Sequence, residues 1–185
     1  MFTYFEKCGI ITLSLRKIRE VLEMYNIGDK ILYPPHGAGV IEGIEERVVL
    51  GKKQNYYILK MPSEEMTVMI PTEGCEEIGV RYIIDRSEAQ KVLETFRVEP
   101  VVLDDNWNRR QRENVAKIKT GDIYEVLCVV KALMIRERTK GLSTSERKML
   151  NVSKRIMTSE IVLSGAASIN DVESIMNDTI TELLK

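Results

Sequence analysis

The stretch KILYPPHGAGVIEGIEERVV, Lys30 to Val49, decides how the front of this chain folds. Its β-branched and aromatic runs, KILYP and GVIEGIEERVV, are broken by Pro34-Pro35 and by the Gly37-Ala38-Gly39 triplet. Runs of this kind between turn residues read as short strands. Gly37 and Gly39 supply the φ freedom for a bulge or tight turn. They do not form a phosphate loop, because neither a Lys-Ser/Thr pair nor a helix comes after them. Moving outward, NYYILKM (Asn55 to Met61) and MTVMIP (Met66 to Pro71) continue the pattern after the separators GKKQN and PSEE. Several short strands joined by tight turns over residues 27–71 predict a small, strongly bent sheet or partial barrel.

Upstream, residues 1–23 fit poorly with the strand pattern. Glu6 and Lys7 precede a short apolar run interrupted by Thr and Ser, and RKIRE comes after it, so the segment is no secretory signal. Met24 opens what reads as a fresh start, and residues 1–23 are expected to be an extension that packs little against the rest. The sheet unit then spans residues 24–85. Residues 86–103 are expected to be a short helix, capped by Ser87, and a Pro-containing linker, RVEPVVLDDN. From residue 104 to 185 the chain reads as four helices. The second of them places Ile123, Val126, Leu127, Val130, Leu133 and Met134 at three-and-four spacing. The third opens with the capping box Ser143-x-x-Glu146, and the fourth with Ser168-x-x-Asp171. The fold class is therefore α+β, a bent sheet followed by a compact helical domain.

The 185 residues carry 44% hydrophobic and 30% charged side chains, enough for buried cores and against disorder. No apolar run reaches the ~18 residues that span a bilayer. Cys8, Cys75 and Cys128 lie far apart and His36 is the only histidine, a pattern of neither zinc site nor disulfide framework, so a reducing cytoplasm is the expected compartment. Net charge is −1, but it is unevenly distributed. Residues 24–99 hold nine Lys+Arg against thirteen Asp+Glu, residues 104–164 hold thirteen against eight, and residues 165–185 hold one against four. An acidic front, a basic middle and an acidic tail make nucleic acid a candidate partner for the middle alone.

No catalytic constellation emerges, and no enzyme is expected. His36 in YPPHGAG reads as a turn residue, and no nucleophile-elbow motif accompanies it. The pairs Glu45/Glu46, Glu64/Glu65 and Glu76/Glu77 read as solvated surface, and no cofactor or metal pattern is present. More informative is DDNWNRRQREN, Asp104 to Asn114, which holds the only tryptophan, Trp107, beside Arg109, Arg110 and Arg112. On a helix Trp107, Arg110 and Asn114 share one face, with Arg109 and Arg112 on the next. The indole either tucks against neighbouring helices or projects toward a nucleic-acid groove while the arginines meet phosphates. Arg147 and Lys148, then Lys154 and Arg155, form a second basic cluster.

From Met24 onward the chain resembles the CarD-like bacterial transcription regulators. The resemblance rests on IGDKILYPPHGAGVIEGIEER, YYILKM, TVMIP and GVRYII in the first half, and on NWNRRQREN, TGDIYEVLCVVKAL and GLSTSERKML in the second. It implies a Tudor-like bent β-domain that docks on the RNA polymerase β subunit by strand pairing. It also implies a helical domain that touches promoter DNA at the upstream edge of the transcription bubble, with Trp107 wedged into the minor groove. Asn108 and the basic residues Arg109, Arg110, Arg112, Arg147 and Lys148 are the DNA contacts this resemblance implies. Arg47 falls where relatives use an arginine against the β subunit, whereas a second such position is Met69, which cannot form that ion pair.

Overall fold

The computed structural model describes residues 25–34, 36–49, 51–61, 66–101 and 104–185. The extension expected at residues 1–23 and the pair Glu64/Glu65 lie outside the described residues. Among the described residues five antiparallel strands form one sheet: β1 (Lys30–Tyr33), β2 (Gly37–Val49), β3 (Lys52–Met61), β4 (Met66–Pro71) and β5 (Arg81–Tyr82), in the order β4-β3-β2-β1-β5. The expected bend has an identifiable source, a register shift between Ile41 and Gly43 where β2 meets β3. An extra residue at such a bulge bends the strand and increases its twist. Beneath the sheet Tyr25, Ile31, Ile41, Tyr57, Leu59, Ile70, Cys75 and Val80 form a small core. His36 sits in the β1–β2 turn, its ring stacked on Tyr33.

Among the described residues five helices come after the sheet: α1 (Arg86–Val98), α2 (Trp107–Thr120), α3 (Ile123–Thr139), α4 (Thr144–Leu163) and α5 (Ile169–Leu183). Both expected capping boxes are present, at Ser143/Glu146 and Ser168/Asp171. The start of α1 differs from expectation. Its N-cap is Asp85, whose carboxylate accepts from the Glu88 N–H at 2.8 Å, and Ser87 lies inside the helix. Asp is as good a cap as Ser, and it comes two residues earlier.

A second difference concerns what α1 does. Ala89, Val92, Leu93 and Phe96 of α1 belong to the same core as α3, α4 and α5, so this helix is a member of the helical body and only the residues after it connect. The buried Lys131 fixes that exit by donating to the carbonyls of Phe96 and Glu99 at 2.6 and 2.5 Å. Burial in the core pushes the Lys131 ammonium pKa below its ordinary value.

The sheet and the helical body are closely joined. Leu32 and Ala38 of the sheet sit in the helical core, and the Ala38 N–H donates to Ser159 Oγ at 2.8 Å. Gly37 takes φ +105°, and a Cβ there would stand 2.7 Å from Ser159 Oγ, so β2 approaches α4 too closely for a side chain. The centre of the joint is Glu160, which has no exposed surface. Its carboxylate accepts from the Arg81 guanidinium at 2.5 and 3.0 Å and from the Ile84 N–H at 3.0 Å.

Candidate nucleic-acid interface

Trp107 is the first residue of α2 and keeps 46% of its surface exposed. The loop before it is held by local chemistry. Asp104 Oδ1 accepts from the Asn106 N–H at 2.8 Å, and Asn106 Oδ1 caps the helix by accepting from the Arg109 N–H at 3.1 Å. The Asp104 pKa lies below the usual carboxylate value, first because of the Asn106 N–H and then because of Arg109.

The three arginines of α2 separate into different roles. Arg109 is exposed but bonded to Asp104 through Nε, with Glu113 at 3.8 Å. Arg112 is exposed and forms no ion pair among the described residues. Arg110, expected to meet DNA, is instead only 8% exposed. Its guanidinium reaches Glu146 of α4 at 2.8 Å, and NH1 donates to the Asp104 carbonyl at 2.9 Å. Arg110 therefore lies beneath the loop that leads to the indole, held between Glu146 and the Asp104 carbonyl. Burial alone would raise the Glu146 pKa, but hydrogen bonds from Arg110 and Ser143 outweigh it and hold the carboxyl below its ordinary value.

The Arg110–Glu146 pair, with Ser145 Oγ donating to Gln111 at 3.1 Å, brings the first turns of α2 and α4 together. Arg147 and Lys148 are exposed in that same first turn of α4. Arg147 has only Glu137 at 4.0 Å, and Lys148 has no ion pair among the described residues. Asn108 is exposed as well. One end of the helical body thus presents an indole and four exposed cations, with two helix N-termini whose partial positive charge favours anions.

Arg47 and Met69 lie on the sheet, apart from this cluster. Arg47 pairs with Gln54 and Met69 with Ile58, and since those two β3 residues are four apart, both side chains share the face opposite Tyr57 and Leu59. They stand on the order of 16 Å apart, from four residues along β3 and two strand spacings. Met69 is 53% exposed on β4, which has no strand on its far side among the described residues. Beyond Ile41, which exchanges backbone hydrogen bonds with Gly28 and Asp29, β2 likewise lacks a partner on the β1 side among the described residues. Arg47 donates to Glu45 at 2.5 Å.

Residues 25–84 match the CarD-like/TRCF RID domain, and residues 91–177 match the CarD C-terminal domain. A Bacillus subtilis (strain 168) protein described as "Putative transcription factor YdeB" is 40% identical over 138 residues, which cover 75% of this chain and 90% of that protein. A bent sheet of the first kind followed by a helical body of the second is a transcription-regulator architecture. The chain belongs to the CarD family. No helix among the described residues is long and apolar enough to cross a membrane.

Proposed function

We propose that this protein docks on the RNA polymerase β subunit through its sheet and stabilises the open promoter complex through Trp107. The observation that carries this reading is the placement of the only tryptophan, half exposed on the first turn of a helix and flanked by exposed cations. An indole so placed can wedge into the minor groove at the upstream fork, while Arg109, Arg112, Arg147 and Lys148 neutralise phosphates around it. Arg110 supports the wedge from beneath. On the sheet, an unpaired edge offers backbone hydrogen bonds to a polymerase strand, and Arg47 and Met69 select the partner with their side chains.

The helical body alone has modest positive charge, so its contact with free DNA is weak and salt-sensitive. Docking raises its effective concentration at the bubble, which confines a weak contact to places where polymerase stands. With the indole inserted, re-pairing of the fork must first expel it. A gain of ~1.4 kcal/mol on that barrier lengthens the open state about tenfold. The test is to retain core polymerase on the immobilised protein and to follow decay of open promoter complexes after a competitor challenge. Retention with slowed decay supports the reading, and retention with unchanged decay leaves a protein adaptor without DNA contact.

A further inference from the structure

The helix that carries Trp107 is held in an unusual way. Arg110 is its only buried residue, and Val115 and Ile118 are merely half-buried against the core. A helix with so little apolar anchoring takes its pose from its ends. At the N-terminal end the anchor is Arg110 on Glu146. At the C-terminal end it comes from the other half of the molecule: Arg81 of β5 donates to the Gly121 carbonyl, just past α2, through NH2 at 2.6 Å and Nε at 3.2 Å. The same guanidinium is paired with the buried Glu160.

Both anchors therefore end on glutamates of α4, fourteen positions apart, a span of ~21 Å that matches the length of α2 at ~1.5 Å per residue. Arg81 also places a positive charge at the negative end of the α2 dipole, where it is favourable. Gly121 takes φ +69°, so its carbonyl turns out of the helix to meet the guanidinium. Arg81 itself is only about one-third exposed, and its NH1 also donates to the Tyr82 carbonyl at 2.8 Å.

We infer that Arg81 is a positioning residue through which the sheet domain sets the pose of the Trp107 helix. The inference rests on the function proposed above and adds to it a physical link between the two domains. Docking fixes the sheet in space, Arg81 fixes the end of α2 to the sheet, and the helix carries that reference to the indole at its other end. Without Arg81 each surface keeps its own partner, but the indole no longer stands at a fixed distance from the docked edge.

The test uses the full chain with two variants. Arg81→Gln alone leaves the Glu160 carboxylate buried without a counter-charge and is prone to unfold. Arg81→Gln with Glu160→Gln removes both charges and keeps an acceptor for the Ile84 N–H. Amide residual dipolar couplings report the orientation of α2 relative to α4 and to β2–β3, without any polymerase present. In the wild type one alignment fits all three; in the double variant α2 is expected to depart from it. Polymerase affinity and affinity for free duplex are expected to stay within twofold, while the gain in open-complex lifetime falls at least fivefold. A loss spread over all three readings would mark a general structural role and overturn the inference. So would α2 couplings that still fit the common alignment, or a shifted α2 with undiminished lifetime. If wild-type protein gives no lifetime gain, the proposed function fails and the positioning role falls with it, while the couplings still show whether Arg81 holds the helix.

Discussion

Replacing Trp107 by alanine separates a wedge from a core anchor, because the two roles differ in what the side chain has to lose. Truncating a fully buried aromatic costs ~3–5 kcal/mol. Trp107 keeps 46% of its surface exposed, so about half of that is at stake. Alanine at the first helical position returns up to ~0.5 kcal/mol in helix propensity. The net loss is then ~1.5 kcal/mol, which for a chain of this size lowers Tm by ~3–6 °C. Against this small change in stability stands a large one in function. If the indole supplies ~1.4 kcal/mol on the collapse barrier, its removal shortens the open state about tenfold. Thermal unfolding followed by circular dichroism gives the first quantity, and competitor-challenged decay of promoter complexes gives the second. Polymerase retention should be unchanged, since that contact is assigned to the sheet. A Tm lowered by more than ~10 °C would show that the indole is an anchor. A folded variant with unaltered decay would remove DNA from the account altogether.

Other substitutions probe the remaining contacts. Arg112→Gln is expected to reduce the slope of log affinity against log salt by ~0.9, the value for one phosphate contact, and Arg109→Gln by less, because Asp104 already neutralises that guanidinium. Equal slopes for both variants and wild type would clear α2 of phosphate contact. Arg47→Glu should weaken polymerase binding by ~2 kcal/mol without unfolding the sheet, given that the side chain is about half exposed; unchanged binding would move the docking surface toward Met69. The Glu146 carboxyl, lowered by Arg110 and Ser143 against its burial, contributes stability that is fully present above its ordinary pKa and is lost as pH falls through the lower folded value. Glu146→Gln should cost ~3 kcal/mol at neutral pH, near the low end for breaking a buried pair, and flatten the acid limb of Tm against pH. An acid limb identical to wild type would mean that this carboxyl does not titrate with unfolding.

Much of the fold can be read from local pattern because local chemistry decides it. MTVMIP forms β4 within the bounds its apolar run gives, and the two capping boxes announce α4 and α5 by side chains that satisfy backbone groups three residues away. The start of α1 is displaced only because two good caps stand close together. What local pattern does not give is the partner of a buried charge. Arg110 looks like its neighbours Arg109 and Arg112 until Glu146, 36 residues on, claims it. Glu146 is visible as a capping residue, yet nothing near it announces an arginine. Arg81 and Glu160 are 79 residues apart, and neither carries a motif. The same limit explains α1, whose apolar face looks like that of any short connector helix until α3 and α5 supply the core against which it packs. For the exposure of Trp107 the sequence leaves two answers open, since polar neighbours in the chain say little about neighbours in space.

The open sheet has one more consequence, for the protein while it waits. An unpaired strand edge accepts any extended chain, including another copy of itself, and the outer reach of β2 adds exposed Val48 and Val49 to that invitation. Closing the edge would abolish the docking proposed above, so on that reading the protection lies in side chains. Glu42 with Lys60 and Glu46 with Lys53 place ion pairs along the β2–β3 ribbon, and stacking two such ribbons would set like charges against each other or strip them of water. The acidic excess of the front half adds a longer-range repulsion between copies. On the proposed reading the same few carboxylates and lysines keep the edge both vacant and unattractive to a second copy, and changes that neutralise them are expected to favour self-association.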